Sequence, residues 1–260
     1  MNQDPPLSTP QPDPVPQAVR VPLPQAAPYV TYAIIAVTVI FNILQVASVA
    51  MFGYPLSFTN MDWLELYGAR INEFILQGQL WRLFTPVLLH GSIMHIFFNM
   101  YALYSLGANQ ERFFGHRRFL LLYMLGAFAG NVASFLFTSG YSVGASTAVF
   151  GLIGAEGVFL YQNRKLFGSE ARRGIGNIIF IAAINLLIIG SLPFIDNWGH
   201  IGGLVGGLMF TSLAGPLWDV ESNLLGGYAL VDKRPVRDIL VGAAVVLFVF
   251  GALALWGLVR

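Results

Sequence analysis

Ser146 in the stretch GASTAVFG, His200 in GHIGGLVGG, and His95 with Asn99 in LLHGSIMHIFFNMYAL are polar side chains set into strongly apolar surroundings. An unpaired polar or ionisable group in hydrocarbon costs on the order of several kcal/mol, so each of them needs a partner or a task. A serine hydroxyl becomes a nucleophile when a base such as imidazole comes within about 2.6–3.2 Å of it. His95 and Asn99 have the i, i+4 spacing that puts them on one helix face, about 6 Å apart along it, so two donors can converge on one point. Gly144 and Ala145, just ahead of the serine, permit a close backbone approach, and a helix start favours developing negative charge. Taken singly, each residue has an ordinary reading: Ser146 as an N-cap, His200 as a satisfied core residue, Gly-x-Ser as a triplet of low specificity.

Bringing Ser146 to His200 requires two helices to approach more closely than the usual axial separation of about 8–10 Å. His200, Gly203 and Gly207 share one face at i, i+3, i+7, and Ser146, Phe150, Gly154 and Gly157 share another at i, i+4, i+8, i+11. Stripes of small residues let membrane helices come close, and the same glycines also suit a plain packing seam. Phe150, one turn below Ser146, either stacks on the imidazole or fills the core. Glu156 lies about 15 Å deeper by helix rise, too far for the same chemistry; a proton relay and a hydrogen-bonded structural carboxyl are its two readings. Asn131, Asn177 and Asn185 suit hydrogen bonds between helices better than chemistry. His90 reads as an interfacial loop residue, with orientation of His95 as the alternative, and His116, beside Arg117 and Arg118, as a solvated helix end.

The chain has 260 residues, of which 56% are hydrophobic and 10% charged, where a soluble domain carries about a quarter charged. Runs of about 20 apolar residues suffice to cross ~30 Å of hydrocarbon, and such runs occur at 30–52, 93–113, 119–138, 143–161, 175–193, 198–217 and 239–259. The expectation is an all-α membrane protein, a polytopic bundle of seven spans. With the N-terminus cytoplasmic and the C-terminus outside, eleven of the fourteen Lys and Arg fall on the inner side, as positive charge should. Spans two, four and six then run inward together, with His95, Asn99, Ser146 and His200 all just inside the outer boundary. The outer loop 53–91, with MDWLELYGARI and GQLWRLF, either lies in the lipid interface or packs on the bundle as a helical hairpin. Residues 1–29 hold nine of the fourteen prolines and read as a disordered cytoplasmic tail, and 218–238 as a cytoplasmic linker. Absence of cysteine excludes a thiol nucleophile, thiolate metal sites and disulfides. No H-E-x-x-H occurs, so no metal is implied, and a net charge of +1 makes no case for nucleic acid as a partner.

Several motifs occur together and in order: Trp81–Arg82, then His90, His95 and Asn99 as H-x-x-x-x-H-x-x-x-N, then Glu111 and Gly115. They continue with Gly144 to Ser146 as G-x-S, and with His200, Gly203 and Gly207 as H-x-x-G-x-x-x-G. From about Tyr29 to Pro216 the chain resembles the rhomboid intramembrane serine proteases. The resemblance implies a six-helix core at 30–217, with 239–260 as the seventh helix that some members append. It implies Ser146 as nucleophile and His200 as its base, a dyad without a carboxylate, so Asp196 is not a third member. His95, Asn99 and the Ser146 backbone N–H would form the oxyanion hole, and Phe150 falls where an aromatic stacks on the base. By the same resemblance the protein sits in the cell membrane, needs no cofactor, and cleaves single-span membrane proteins near the outer face of the bilayer. Those substrates would enter laterally near the fifth span. One departure is Thr147, where the family usually has glycine; a β-branched residue there is expected to crowd the oxyanion hole or alter which side chains fit. The alternative is a non-proteolytic rhomboid-like protein that binds membrane clients, although such relatives typically lose the serine or the histidine. A channel or transporter using Glu156 and the asparagines lacks charges along a traversing path.

Overall fold

The computed structural model describes residues 21, 26–56, 60–192, 194–222 and 227–260. Most of the proline-rich tail, for which the sequence predicts disorder, lies outside them. The chain begins with helix α1 (Tyr29–Phe52), followed by two short helices, α2 (Trp63–Gly68) and α3 (Asn72–Leu76), and two 3₁₀ turns, Leu80–Leu83 and Thr85–Leu88. Helix α4 (Ile93–Ala102) passes through a π-helical turn (Leu103–Gly107) into α5 (Ala108–Phe114). Then come α6 (His116–Phe137), α7 (Ser146–Gln162), the short α8 (Arg164–Phe167) and α9 (Ser169–Ala183), which runs on through a π turn and a 3₁₀ turn to Ser191. Helix α10 (Asn197–Ala214), a hairpin of β1 (Trp218–Ser222) and β2 (Tyr228–Asp232), and α11 (Val236–Val259) complete the fold.

Seven helical paths therefore answer the seven expected spans, with ends displaced by a few residues. Among the described residues α1, α6, the 169–191 path and α11 are each long and apolar enough to cross a membrane by themselves. The path through α4 and α5 is broken by its π turn, and α7 and α10 are short, at 17 and 18 residues. The molecule is a multi-pass, helical membrane protein.

Small residues decide how its centre packs. Helix α10 carries two adjacent glycine pairs, and each pair divides its members between two neighbours. A Cβ built on Gly203 would sit 2.0 Å from the Thr147 carbonyl oxygen, and one on Gly207 1.9 Å from that of Gly151, so this face is pressed on the α7 backbone. On the other face, Gly202 meets Ala133 and the Ala129 carbonyl, and Gly206 meets the Ala129 methyl, all on α6. The third seam, α6 on α7, closes where Gly126 and Gly151 abut. Gly154 takes its expected place against α10, at the Leu204 carbonyl, whereas Gly157 faces Ile178 of α9. The stripe inferred for α7 is thus corrected from Gly157 to Gly151. Position 157 still lies on that face by helical angle, but at its depth the neighbour of α7 is Ile178 of α9 and not α10.

The described part of the loop, 53–56 and 60–91, is a folded layer, which favours the packed-hairpin reading. Its arginines are buried instead of reaching for an interface. The Arg82 guanidinium donates to the carbonyls of Ala69 and Leu66, both at 2.7 Å, and to Gln79 Oε1 at 2.8 Å, lying over the Phe74 ring. Arg70 donates to Asn72 Oδ1 at 2.8 Å and to the Gly140 carbonyl at 2.5 Å, while its backbone pairs with Ser142 between α6 and α7. Asn131 fastens α6 to the same layer through the Leu83 carbonyl. It therefore bonds a loop; Asn185 bonds Ile181 of its own helical path and Asn177 is exposed, so the expected helix-to-helix bonds are not made by these three.

Two other expectations are corrected. His116 is no free helix end: its Nδ1 lies 2.5 Å from Glu111 Oε1. The same carboxylate accepts from the N–H groups of Val30 and Thr31 and from the Thr31 hydroxyl. It thereby supplies from a distant helix the cap that Pro28 cannot give to α1. The segment 218–238 contains an antiparallel ribbon with Trp218 opposite Asp232, and Asp232 accepts from Arg118 of α6 at 2.8 Å.

The tightness of the α7–α10 seam can be measured. Gly207→Ala should lower the thermal unfolding midpoint by about 5 °C or more, since its methyl has no space. Gly176→Ala, whose Cβ would meet nothing within 4 Å, should leave it unchanged. Equal midpoints for both variants would contradict the seam.

Candidate active site

Ser146 opens α7, and the N-cap position belongs to Ala145, which forms no side-chain cap bond. The cap reading of the serine is therefore wrong: its Oγ stands 3.0 Å from His200 Nε2. This distance is what the α10 glycines produce, since His200 lies one turn ahead of Gly203, where the two backbones nearly touch. Phe150 stacks on the imidazole at 4.2 Å between centroids and 8° between planes, which resolves its two readings in favour of stacking. His200 and Phe150 are 7% and 4% exposed, so the ring has little freedom to turn. Packed over Phe150 is a small apolar cluster of Val149 and Ile153 with Leu106, Ile178, Ala182 and Leu186, drawn from the π turn after α4 and from the α9 path.

Asp196 does not join this pair. Its oxygens accept from the Thr138 hydroxyl at 2.8 Å, the Gly199 N–H at 3.0 Å and the Ser134 hydroxyl, with Arg70 Nη2 at 3.9 Å. The carboxylate caps α10 and ties its start to the end of α6 and to the loop layer.

His95 approaches from the other side. Gly144 has φ +127°, a backbone conformation that L side chains rarely adopt. A Cβ there would lie 2.6 Å from His95 Nε2 and 3.7 Å from Ser146 Oγ. Glycine is thus required twice over, for the turn and for the imidazole edge that occupies the place of a side chain. Asn99 is buried and donates from Nδ2 to the His95 carbonyl at 3.1 Å, one turn back on its own helix. One amide hydrogen is engaged in that bond, so the picture of two free donors facing one point holds for His95 and is halved for Asn99. The N–H groups of Ser146, Thr147 and Ala148 precede the first bond within α7, from Val149 N to the Ala145 carbonyl, and so form the electropositive end of the helix.

His90 is the residue that spacing undervalued. It is buried, its ring meets that of His95 edge-on at 5.0 Å, and its Nε2 lies 3.4 Å from the Ala145 N–H. Burial first, and His95 beside it second, push its pKa down to about 3, so at neutral pH the ring can accept that N–H. Gln45 of α1 grips the His90 backbone at both ends, receiving its N–H at 3.0 Å and donating to its carbonyl at 3.3 Å. The Gln45 amide also donates to Asp62 Oδ2 at 2.7 Å. Asp62 in turn heads α2 in a capping box with Glu65. No sequence period links Gln45, Asp62 and His90; only the isolated polar Gln45 inside an apolar span hinted at a partner.

Thr147 is buried with its Cβ and methyl against Gly130 of α6 and Gly199 of α10. The expected crowding of the oxyanion region is thus replaced by a packing role, with Gly130 yielding the space a branched side chain needs. Glu156 stays remote from the site and accepts from Gln110 Nε2 at 3.1 Å, the structural alternative of its two readings.

A family profile for the Rhomboid domain matches residues 77–216; the chain belongs to the rhomboid family. Over 158 residues it is 46% identical to the rhomboid protease GluP of Bacillus subtilis (strain 168), covering 60% of this chain and 30% of that protein. It is 36% identical to RHOMBOID-like protein 1 of Arabidopsis thaliana over 198 residues, covering 72% of this chain and 50% of the relative. With the mitochondrial RHOMBOID-like protein 6 of the same plant it shares 38% identity over 196 residues, 72% of this chain and 63% of the relative. The chain spans less than two thirds of the length of each of these relatives.

The acid pair at the head of α2 predicts a pH dependence. Burial first and the neighbouring Asp62 carboxylate second raise the Glu65 pKa from 4.5 to about 7. The folded protein then holds this proton to higher pH than the unfolded chain does, so stability falls as pH rises from about 4.5 to about 7. Glu65→Gln keeps the oxygen that accepts from the Asp62 N–H and should raise the unfolding midpoint at pH 8 while leaving it unchanged at pH 5. A difference between variant and wild type that is the same at both pH values would overturn this.

Proposed function

We propose that this chain is an intramembrane serine endopeptidase whose nucleophile is Ser146 and whose general base is His200. The observation that carries the reading is the 3.0 Å approach of Ser146 Oγ to an imidazole fixed by Phe150. Membership of a family that includes a named protease supports it.

In the proposed reaction His200 Nε2 takes the serine proton as Oγ attacks the scissile carbonyl. The imidazolium then gives that proton to the leaving amine, and an acyl-enzyme remains; a water, deprotonated by the same nitrogen, releases it. Negative charge grows on the carbonyl oxygen beside the α7 N-terminus. There the Ser146 N–H, the His95 Nε2 edge across Gly144 and the remaining Asn99 amide hydrogen are the available donors. Preorganised donors of this kind contribute about 10²- to 10³-fold each in related acyl transfers. Asp196 acts through position, by holding the first turn of α10. Gly144, Gly203 and Gly207 act by allowing the approach of neighbouring groups.

The proposed substrates are single-span membrane proteins cut near the outer boundary. Their helical amides are shielded, so local unwinding precedes attack, and they enter beside the α9 path, which is the least buried of the long helices among the described residues. The proposed topology follows the charge pattern, with the N-terminus cytoplasmic, the C-terminus outside and the cell membrane as location. The client-binding alternative is less favoured because both members of the dyad are present and in contact.

Labelling with a fluorophosphonate tests the assignment. Wild type should react and Ser146→Ala should not, while His200→Ala should react at least about 100-fold more slowly. A His200→Ala variant that reacts as fast as wild type would remove the base. Thr147→Gly serves as a second measurement: it should keep the labelling rate within a few-fold yet unfold earlier, through the cavity left beside Gly130. Faster labelling without loss of stability would restore the crowding explanation. Cleavage of a panel of single-span substrates then distinguishes a protease from a serine-reactive binding protein.

A further inference from the structure

The loop layer spans only part of the gap between α1 and α6. Below it the two helices leave a groove of about 450 Å³, with Ala33 and Val37 on one wall, Leu120 and Met124 on the other, and Phe84 and Leu88 as its roof. The roof is anchored by the stacking of Phe84 on Phe128 of α6 at 4.8 Å, so the loop cannot simply sink into the space. The walls are apolar, and the hydroxyl of Thr85, which also lines the groove, donates to the Gly68 carbonyl at 2.6 Å. Ala33, Val37, Leu120 and Met124 are all exposed, so the groove opens out of the bundle towards lipid. An apolar space of this kind has no polar groups to hold water, and hydrocarbon is its natural occupant.

The mouth of the groove adds charge. Arg117 stands on the same face of α6 as Leu120 and Met124, at i, i+3, i+7. It is exposed and has no ion pair or hydrogen bond among the described residues. Its neighbours are already engaged: Arg118 with Asp232 at 2.8 Å, and His116 with Glu111, whose carboxylate also serves the α1 amides. One guanidinium without an acidic partner, beside an acyl-sized groove at the arginine-rich end of the bundle, matches the two ends of a phospholipid. A phosphate complements its planar donors.

We infer that the α1–α6 groove binds one anionic glycerophospholipid, an acyl chain lying along α1 beneath Phe84 and the phosphate resting on Arg117. The inference does not depend on the peptide-bond chemistry proposed above. The lipid would fill the space that the loop leaves open and so brace α1, the helix whose Gln45 holds His90.

Native mass spectrometry of the full chain, titrated separately with dioleoyl phosphatidylglycerol and dioleoyl phosphatidylcholine, tests this. Wild type should take up the first phosphatidylglycerol about fivefold more tightly than phosphatidylcholine, the preference expected of one arginine near the surface. Arg117→Gln should bring the two lipids to parity, and Ala33→Phe, which fills the groove, should weaken both by about tenfold. Ser146→Ala should bind as wild type does, which separates this result from the outcome of the labelling experiment. Parity in wild type, or a preference that survives Arg117→Gln, overturns the headgroup assignment. A diazirine-bearing acyl chain probes the groove without a bulky substitution: its adducts should concentrate on 33–37 and 120–124. Adducts spread equally over α9 and α11 overturn the groove assignment, as does undiminished binding by a folded Ala33→Phe.

Discussion

Helices α6, α7 and α10 meet with almost no side chain between them, and the chemistry that the site can perform depends on that approach. Gly203 and Gly207 bring the α10 backbone onto the carbonyls of Thr147 and Gly151, while Gly202 and Gly206 bring it onto α6. A methyl group at either member of a pair would push α10 outwards. A displacement of about 1 Å in a reacting pair can cost on the order of 10²-fold in rate. The seam is therefore where packing and geometry become one constraint: van der Waals contact between backbones, with no hydrophobic driving force in lipid, fixes a hydrogen bond between two side chains. The Phe150 ring removes the remaining rotation of the imidazole.

A second scaffold holds the site from above. Arg70, buried, joins the loop layer to the α6–α7 turn and to Asp196, and Asp196 joins that turn to the start of α10. Gln45, Asp62 and Glu65 form a parallel chain from α1 to the His90 backbone. The buried arginines of this layer donate to carbonyls, and the Asp62 and Glu65 carboxyls accept from amide and backbone N–H groups, as desolvation demands. His95 and the Ala145 N–H are thus positioned by groups that touch neither Ser146 nor His200. The two halves of the site are set by different physics: the Ser146–His200 contact by backbone packing, the His95 side by a polar network.

Much of this was legible in the sequence. Composition and apolar run length gave the helical paths, because spanning hydrocarbon imposes a length that hydropathy records directly. The i, i+3, i+7 face of His200, Gly203 and Gly207 and the Gly-x-Ser triplet marked both sides of the Ser146–His200 contact. The errors have a common cause, which is that one helix face was read where several partners compete. Gly157 was assigned to α10 although α9 takes it, and Thr147 was set against the oxyanion region although Gly130 makes room for it. The Gln45 clamp and the long-range cap from Glu111 join elements far apart in the chain, and a local period carries no trace of such pairs. The pairing of β1 with β2 was missed because two five-residue strands, WDVES and YALVD, look like a linker until they are paired.

The distribution of rigidity bears on how a helical substrate could reach so enclosed a pair. The seams among α6, α7 and α10 leave no slack, and the loop layer is cross-tied by arginines and asparagine. The α9 path differs: little of it is buried, its end loosens into π and 3₁₀ turns, and it covers Phe150 with only Ile178, Ala182 and Leu186. Its packing on α7 is looser than the glycine seams: a Cβ built on Gly157 would meet Ile178 at 3.6 Å, an ordinary contact, and a side-chain bond joins it to α10, from Asn197 Nδ2 to the Leu186 carbonyl at 3.1 Å. Under the proposed function, a fold that keeps one 3.0 Å distance and still admits a transmembrane segment meets both demands by confining motion to an element that carries none of the reacting groups. The α9 path, least buried of the long helices among the described residues and free of Ser146, His200, His95 and Asn99, is the candidate for that role under the same proposal.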